Sequence, residues 1–529
     1  MISKLDLPDI QGNIVKAYGR YGFPRARYVF YQINDSTKGR KFVENVTPLV
    51  TTSVPWSEDK PKNVPAVAVN IAFTYQGLKH LDIPDDTLHG FPDEFAMGMK
   101  ARRDIIGDNG PNHFEHWDKI WNDPADKFSQ NVHVLIGLNA KEEGPLEAAY
   151  QQICGILAAT GGVTQLVGHR GANGVEDLPY QSAIASDSNR EHFGYADGIS
   201  TSYFEGCRES ARYVVGGGKP TGLDPTTKEG WAPLAAGEFV FGHADESGAY
   251  PEAPGPPLFS RNGTYMVYRK LHQNVATFRT FLEAEGSKFG DVETFAAKLS
   301  GRWRNGAPLA TFWTKESANQ FVAELGALLE KSRLADAGQG QISDAEKAHL
   351  AELRLQLTAY DYNDDTTGAK CPFSAHTRRT NPRSALQFGA KKPFDTPGAL
   401  SNRRRILRRG LPYGESPANT TDADEHGVIM MIVNADLSRQ FEFVQEQWIN
   451  YGNDFRLSND QDPLLGNNGF NENGRGKGRM LIEGDSQTNR SPYFCSGIPT
   501  MVETRGGDYF FVPSMTCLRM IAMGIVDPT

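Results

Sequence analysis

Three segments of this chain hold side chains whose types and spacing could do chemistry. FGYADGIS at 193–200 sets Asp197 between Gly194 and Gly198. Glycines there permit a tight turn and close backbone approach, which would present a carboxylate. Alone, an Asp-Gly turn is an ordinary structural device. CPFSAHTRRTNPR at 371–383 carries one histidine, His376, among Arg378, Arg379, Asn381 and Arg383. Such cationic surroundings suit a histidine when an anion, or a metallo-cofactor with carboxylates, sits beside it. The plain alternative is a core histidine with a satisfied hydrogen bond. SNRRRILRRGLPYG at 401–414 brings Arg403, Arg404, Arg405, Arg408 and Arg409. A run of this kind invites an RNA-patch or nuclear-localisation reading. Ile406 and Leu407 interrupt it, however, and on strand spacing alternate arginines point to opposite faces.

The elements that must position these residues follow an α+β order. ARYVFYQI at 26–33, PAVAVNIAF at 65–73 and NVHVLIGLN at 131–139 read as strands, with helical patterns at TKGRKFVENVTPLV and PLEAAYQQICGILAA. Strand, helix, strand and again strand, helix, strand is the order of a ferredoxin-like unit. The second half repeats it: GTYMVYRKL at 263–271 leads into HQNVATFRTFLEAEG, and GVIMMIVN at 427–434 into LSRQFEFVQEQWIN. GEFVFG at 237–242 opens this second unit, DYFFVPS at 508–514 closes it, and a Gly- and Pro-rich linker at about 216–236 precedes it. The pattern gives an N-terminal unit over 1–220 with the Asp197 turn and a C-terminal unit over 221–529. An insert at about 284–365 holds two helices, ESANQFVAELGALLEKSRL and SDAEKAHLAELRLQL. Ser343 and Glu346 have capping-box spacing, and the charged faces read as a solvated decoration.

Composition bounds the partners. The chain has 529 residues, which at roughly 150 per domain allows two to four domains. A net charge of −9 argues against a phosphate backbone as partner. Cys154, Cys207, Cys371, Cys495 and Cys517 are odd in number and widely spaced, so no disulfide framework is expected. Lys4 and Asp6 break any apolar leader, and no stretch reaches the ~18 apolar residues of a membrane span. A cytoplasmic protein is the default, with secretion by another route left open.

Taken in order, the three segments resemble the dye-decolourising peroxidases. Gly194-x-x-Asp197-Gly198 looks like that family's GxxDG signature, CPFSAHTRRTNPR its segment around the haem-binding histidine, and RRILRRGLPYG its distal-arginine strand. QGNIV at 11–15, RNGTYMVYRKL, FEFVQEQW and GGDYFFVPS are also similar to family stretches. The length and inserts resemble one of the longer subgroups. Where the compact subgroup has an Asn two residues after the distal arginine, this chain has Gly410.

The resemblance implies two ferredoxin-like units of the dimeric α/β-barrel type, antiparallel sheets with helices, and one haem b per chain. It implies a peroxidase that reduces H2O2 and oxidises dyes, phenols or other aromatic donors through a ferryl intermediate. A haem- or iron-handling protein with little turnover is the alternative. His376 maps to the axial iron ligand, and Asp197 and Arg408 to the distal face. Gly194 and Gly198 map to the cofactor-side turn. Arg408 is chosen for its place before Arg409-Gly410-Leu411-Pro412, with Arg404 as rival. Arg383 is a candidate partner for a haem propionate; otherwise it braces its own loop. The carboxylate behind His376 is not identified by sequence, with Glu442 and Glu446 as candidates. Mn2+ is a lesser partner that Asp361, Asp364 and Asp365, or Glu283, Glu285 and Glu293, could take. His113-x-x-His116 lacks further ligands nearby, and no oligomeric state follows.

Overall fold

The computed structural model describes residues 5–56, 64–122, 130–172, 174–186, 189–207, 211–387, 398–469, 476–485 and 490–527. Lys4, which interrupts the leader pattern, lies outside them. In the first half, β1 (Arg25–Ile33), β2 (Val67–Phe73), β3 (Val134–Ala140) and β4 (Val163–Gln165) are joined by α1 (Ser36–Val46) and α2 (Glu143–Thr160). The strands are aromatic and β-branched runs buried on both faces, as sheet cores require. Asp35 caps α1 by accepting the Lys38 N–H, and Gly39, Phe42, Val43 and Val46 form its buried stripe. The strand order β2-β3-β1-β4 is that of a ferredoxin-like unit, with β5 (Gln181–Ile184) added against β1.

The second half supplies β6 (Thr264–Gln273), β7 (Leu407–Arg408), β8 (Leu411–Tyr413), β9 (Gly427–Asn434), a hairpin of β10 (Gly478–Ile482) and β11 (Tyr493–Ile498), and β12 (Val502–Val512). Its order β7-β9-β6-β12 repeats the first unit's, and β12 meets β2 through Phe511 and Phe73. β8 also packs beside β5, so the two ends of this path approach one another. The apolar core runs through both units, from Tyr28, Phe30 and Ile136 to Tyr268, Phe510 and Phe511. GEFVFG, which the pattern sets at the opening of this unit, is a 3-10 turn at Ala236–Glu238 whose Phe239 and Phe241 plug that core.

α3 (Val275–Phe289) follows β6 as expected, and α4 (Val292–Ser300) after it had no clear signal. The insert's two helices are α5 (Lys315–Asp336) and α6 (Asp344–Gln356), the latter opened by the Ser343–Glu346 capping box. They pack a small core of their own around Trp303, Phe321 and Tyr362. The stretch LSRQFEFVQEQWIN is helical, but its hydrogen bonding is π-type over Leu437–Glu442 and Val444–Ile449. All five cysteines are free thiols. No helix among the described residues is long and apolar enough to cross a membrane.

Candidate active site

The second unit's strands floor a cavity on one face. Because side chains alternate along a strand, β9 turns Val428, Met430 and Ile432 into it, while β6 contributes Arg269, Leu271 and Gln273. Phe441, Val444 and Ile449 from the π-helical segment and Leu464 and Leu465 from the loop beyond complete apolar walls. π-helical turns often occur at functional sites.

His376 opens α7 (His376–Thr380), a helix too short to hold its own position. Its neighbours do so. Arg378 is buried, donates to Asp365 at 2.9 Å and stacks between Tyr362 and Phe373. Arg379 donates to the carbonyls of Trp448, Tyr451 and Asp460 at 2.6–2.9 Å. The arginines beside the histidine are therefore struts, and breaking the buried Arg378–Asp365 pair would cost about 3–5 kcal/mol.

The His376 ring lines the cavity, and its Nδ1 lies 2.9 Å from Asp462 Oδ2. Asp462 replaces the expected Glu442 or Glu446 as partner. Glu442 instead accepts from Arg102 and from the Tyr509 hydroxyl, each at 2.9 Å. Asp462 is fully buried, and its Oδ1 accepts the N–H groups of Leu464 and Leu465. Burial alone would push this carboxyl up; the His376 ring, with Arg379 and the Leu465 amide, outweighs it and holds the group below its ordinary value. Nδ1–H donation to a carboxylate fixes the tautomer and leaves Nε2 as a bare, more basic ligand.

The GxxDG turn lines the same cavity. Gly194 and Gly198 have φ of +90° and +71°, so both occupy the left-handed region that suits glycine. They shape the turn, while Asp197, Ala196 and Ser200 line the cavity. Arg408 Nη1 is 3.4 Å from Asp197 Oδ1, and its Nη2 donates to the Ser200 carbonyl. Arg404, the rival, stacks on Phe443 and donates to the Arg439 carbonyl. The other arginines of the run are spent locally: Arg403 on Asp245, Arg405 on the Gly216–Gly218 carbonyls and Arg409 on the carbonyls of Asn13 and Ile14.

The residues fit a large apolar group with anionic arms. Arg383 and Arg405 are both buried and line the cavity, and neither pairs with a carboxylate among the described residues. Arg383 donates to the Thr358 carbonyl and lies over Tyr360, but its Nε has no partner among the described residues. Burial, with Arg383 nearby, pushes Arg405 down to about 9. Asp361 lies near enough for Arg383 to act on its carboxyl, and the unused Arg383 N–H still suits an anionic arm. Arg383 also sits at φ +52°, strained for a non-glycine residue. Ser300, Arg302 and Tyr360 line the same cavity, so the insert is more than the expected solvated decoration.

Four of the six acidic groups weighed for Mn2+ have other partners. Asp361 bonds Ser384, Asp365 takes Arg378, Glu285 takes Tyr493 and Lys288, and Glu293 takes Arg304. Among the described residues, no three His, Cys, Asp or Glu side chains form a metal-holding group.

Comparison with known proteins agrees along the chain. Residues 9–171 match the family model described as the DyP dimeric alpha+beta barrel domain. The chain is 26% identical to a multifunctional dye peroxidase of Amycolatopsis sp., covering 97% of this chain and 96% of that protein. It is 24% identical to Peroxidase 2 of Mycetinis scorodonius, covering 97% and 87%. An ancestral D-type dye-decolourising peroxidase superposes with a TM-score of 0.70 at 25% identity, covering 98% and 99%. The Auricularia auricula-judae enzyme gives 0.67 at 22%, covering 98% and 100%.

Proposed function

We infer that this chain, a relative of the dye-decolourising peroxidases along almost its whole length, is a haem peroxidase that reduces H2O2 and oxidises dyes, phenols or other aromatic donors. The observation that carries the reading is one cavity lined both by His376, backed by Asp462, and by the Asp197–Arg408 pair. One haem b per chain would be held by His376 Nε2, by the apolar walls and by Arg383 at its anionic edge. When bound, the haem supplies the redox chemistry that takes two electrons to peroxide and draws them from donors one at a time.

The chain's own residues do the rest. Asp462 keeps the His376 proton on Nδ1 and raises the basicity of Nε2. Asp197 takes a proton from one peroxide oxygen and gives it to the other, so that water can leave. A carboxylate, whose ordinary pKa is about 3.9, can serve as that base in acid where a histidine would already be protonated. Arg408 stays charged and stabilises negative charge as the O–O bond breaks. Cytoplasmic residence remains part of the proposal.

A visible spectrum after haem addition tests the reading: a Soret band is expected with the parent chain and not with His376→Ala. No band with the parent chain would overturn it. Stopped-flow mixing of the haem-loaded protein with H2O2 then separates a peroxidase from a haem-handling protein. Fast, saturable peroxide consumption that Asp197→Ala slows supports the former.

A further inference from the structure

A second carboxylate lies behind the Asp197 turn. Glu191 is half-buried at the cavity wall, and both of its oxygens are used. Oε1 accepts the Tyr195 N–H at 2.8 Å; Oε2 accepts the Phe193 N–H at 2.8 Å and Gln273 Nε2 at 2.6 Å. The backbone closes the same loop, with Gly194 N–H donating to the Glu191 carbonyl and Glu191 N–H to the Tyr195 carbonyl. Residues 191–195 are thus wrapped around one carboxylate, immediately before Ala196 and Asp197. Burial pushes the Glu191 carboxyl up, and its hydrogen bonds oppose this. Three donors converge on it, an arrangement that suits the ionised form, which only accepts.

Gln273, at the end of β6, is oriented by the same contact. Its Nε2 is committed to Glu191, so Oε1 must face the other way. That oxygen is buried. The Gln273 side chain lines the cavity, and this oxygen is its unused acceptor among the described residues.

We propose that Glu191 is a positioning residue that fixes the Asp197 turn and aims the Gln273 carbonyl oxygen at a hydroxyl-bearing ligand, water or peroxide, in the cavity that Asp197 also lines. The ligand half of this proposal rests on the peroxidase reading; the turn half does not. Neither Gln nor Asp can replace this side chain. A Gln amide would set its NH2 against a backbone N–H, and Asp is one methylene too short to span both amides.

Hydrogen exchange of the full-length chain, with and without haem, tests the turn. Glu191→Gln is expected to speed exchange in peptides covering 189–198 by roughly 10- to 100-fold, the equivalent of one or two lost charge-assisted bonds, while distant peptides hold. Unchanged exchange there would overturn the proposal, and so would acceleration spread over the whole chain. Gln273→Met, which leaves the turn's own amides bonded, tests the acceptor. In haem-loaded protein it should lower kcat/KM for H2O2 about ten-fold, the loss of one hydrogen bond. The KM for a dye and the Soret band should not move. Equal kcat/KM for peroxide, or a matched loss for the dye, would overturn the role of Gln273. Absence of a Soret band in the parent protein would overturn the peroxidase reading and leave the exchange result on the turn standing.

Discussion

Asp462→Asn removes one charge without changing shape, and the structure dictates what must follow. Oδ1 of Asp462 takes the amides of Leu464 and Leu465 at 2.8 and 2.9 Å, and Oδ2 takes His376 Nδ1 at 2.9 Å. An asparagine that keeps its oxygen on the two amides turns its NH2 toward His376. The ring must then accept at Nδ1, which moves its proton to Nε2, the atom that has to be bare to bind a metal. The flipped amide keeps the histidine tautomer but sets NH2 against two N–H groups, at roughly 1–3 kcal/mol for each buried donor left unpaired. Neither orientation satisfies both sides. Partners of this kind are worth about 10- to 100-fold in metal affinity, or about 1.4–2.7 kcal/mol. Haem titration followed at the Soret band should therefore show a dissociation constant 10- to 100-fold above the parent's, with a shifted band. Circular dichroism should show the fold retained. Equal haem affinity and an identical spectrum would refute the assignment of Asp462 as the group that sets the His376 tautomer.

Other outcomes follow from the same geometry. Arg408→Leu should slow the reaction with H2O2 by about 10²-fold or more while haem stays bound, whereas Arg404→Leu should change that rate by less than about three-fold; stopped-flow mixing distinguishes them. Arg383→Met should speed haem loss, measured by transfer to an apo-globin, by about 10- to 150-fold, because one charge-assisted bond to an anionic arm is worth about 1.5–3 kcal/mol. Stability should fall in acid through the buried histidines. Burial, with His80 alongside, pushes His133 down to about 4, and its Nδ1 accepts the Ile33 N–H at 3.0 Å. Its folded pKa lies below the unfolded value of about 6.5, so the stability it lends is complete above that pH. That stability is lost as pH falls toward 4, at about 1.4 kcal/mol per pH unit once the unfolded ring is protonated. Tm measured across this range should fall less steeply for His133→Asn, whose Oδ1 can accept the same N–H; an unchanged slope would count against a neutral His133.

What the sequence shows of this site is decided by the distance over which each contact is made. The turn at Asp197 and the strand carrying Arg408 are local: glycines with positive φ and an Arg-Gly-Leu-Pro ending announce themselves within a few residues. The repeated strand–helix order was likewise legible, since burial on both faces demands the apolar runs that mark it. Asp462 was not, because its partner lies 86 positions earlier. The nearest signal is an Asp-Pro-Leu-Leu sequence in which an Asp can cap the amides that follow, and that says nothing of a histidine. Nor does an apolar helical pattern distinguish π from α hydrogen bonding, although here the π turns put Phe441, Val444 and Ile449 on the cavity.

Glu191 shows the same limit at shorter range. Nothing in EHFGYADG marks Glu191, yet its carboxylate is bonded by Gln273, which lies 82 residues away on β6. The insert shows the opposite case: its helices carry charged faces, while Arg302 and Tyr360, in the loops beside those helices, carry the contact with the cavity. Function in this chain therefore sits where two locally legible segments meet. Sequence names the residue that acts, and the fold supplies the one that holds it: Asp462 for His376 and, on the proposal above, Glu191 for Asp197. The holding residues are the ones whose isosteric replacement should alter the chemistry and leave the fold standing.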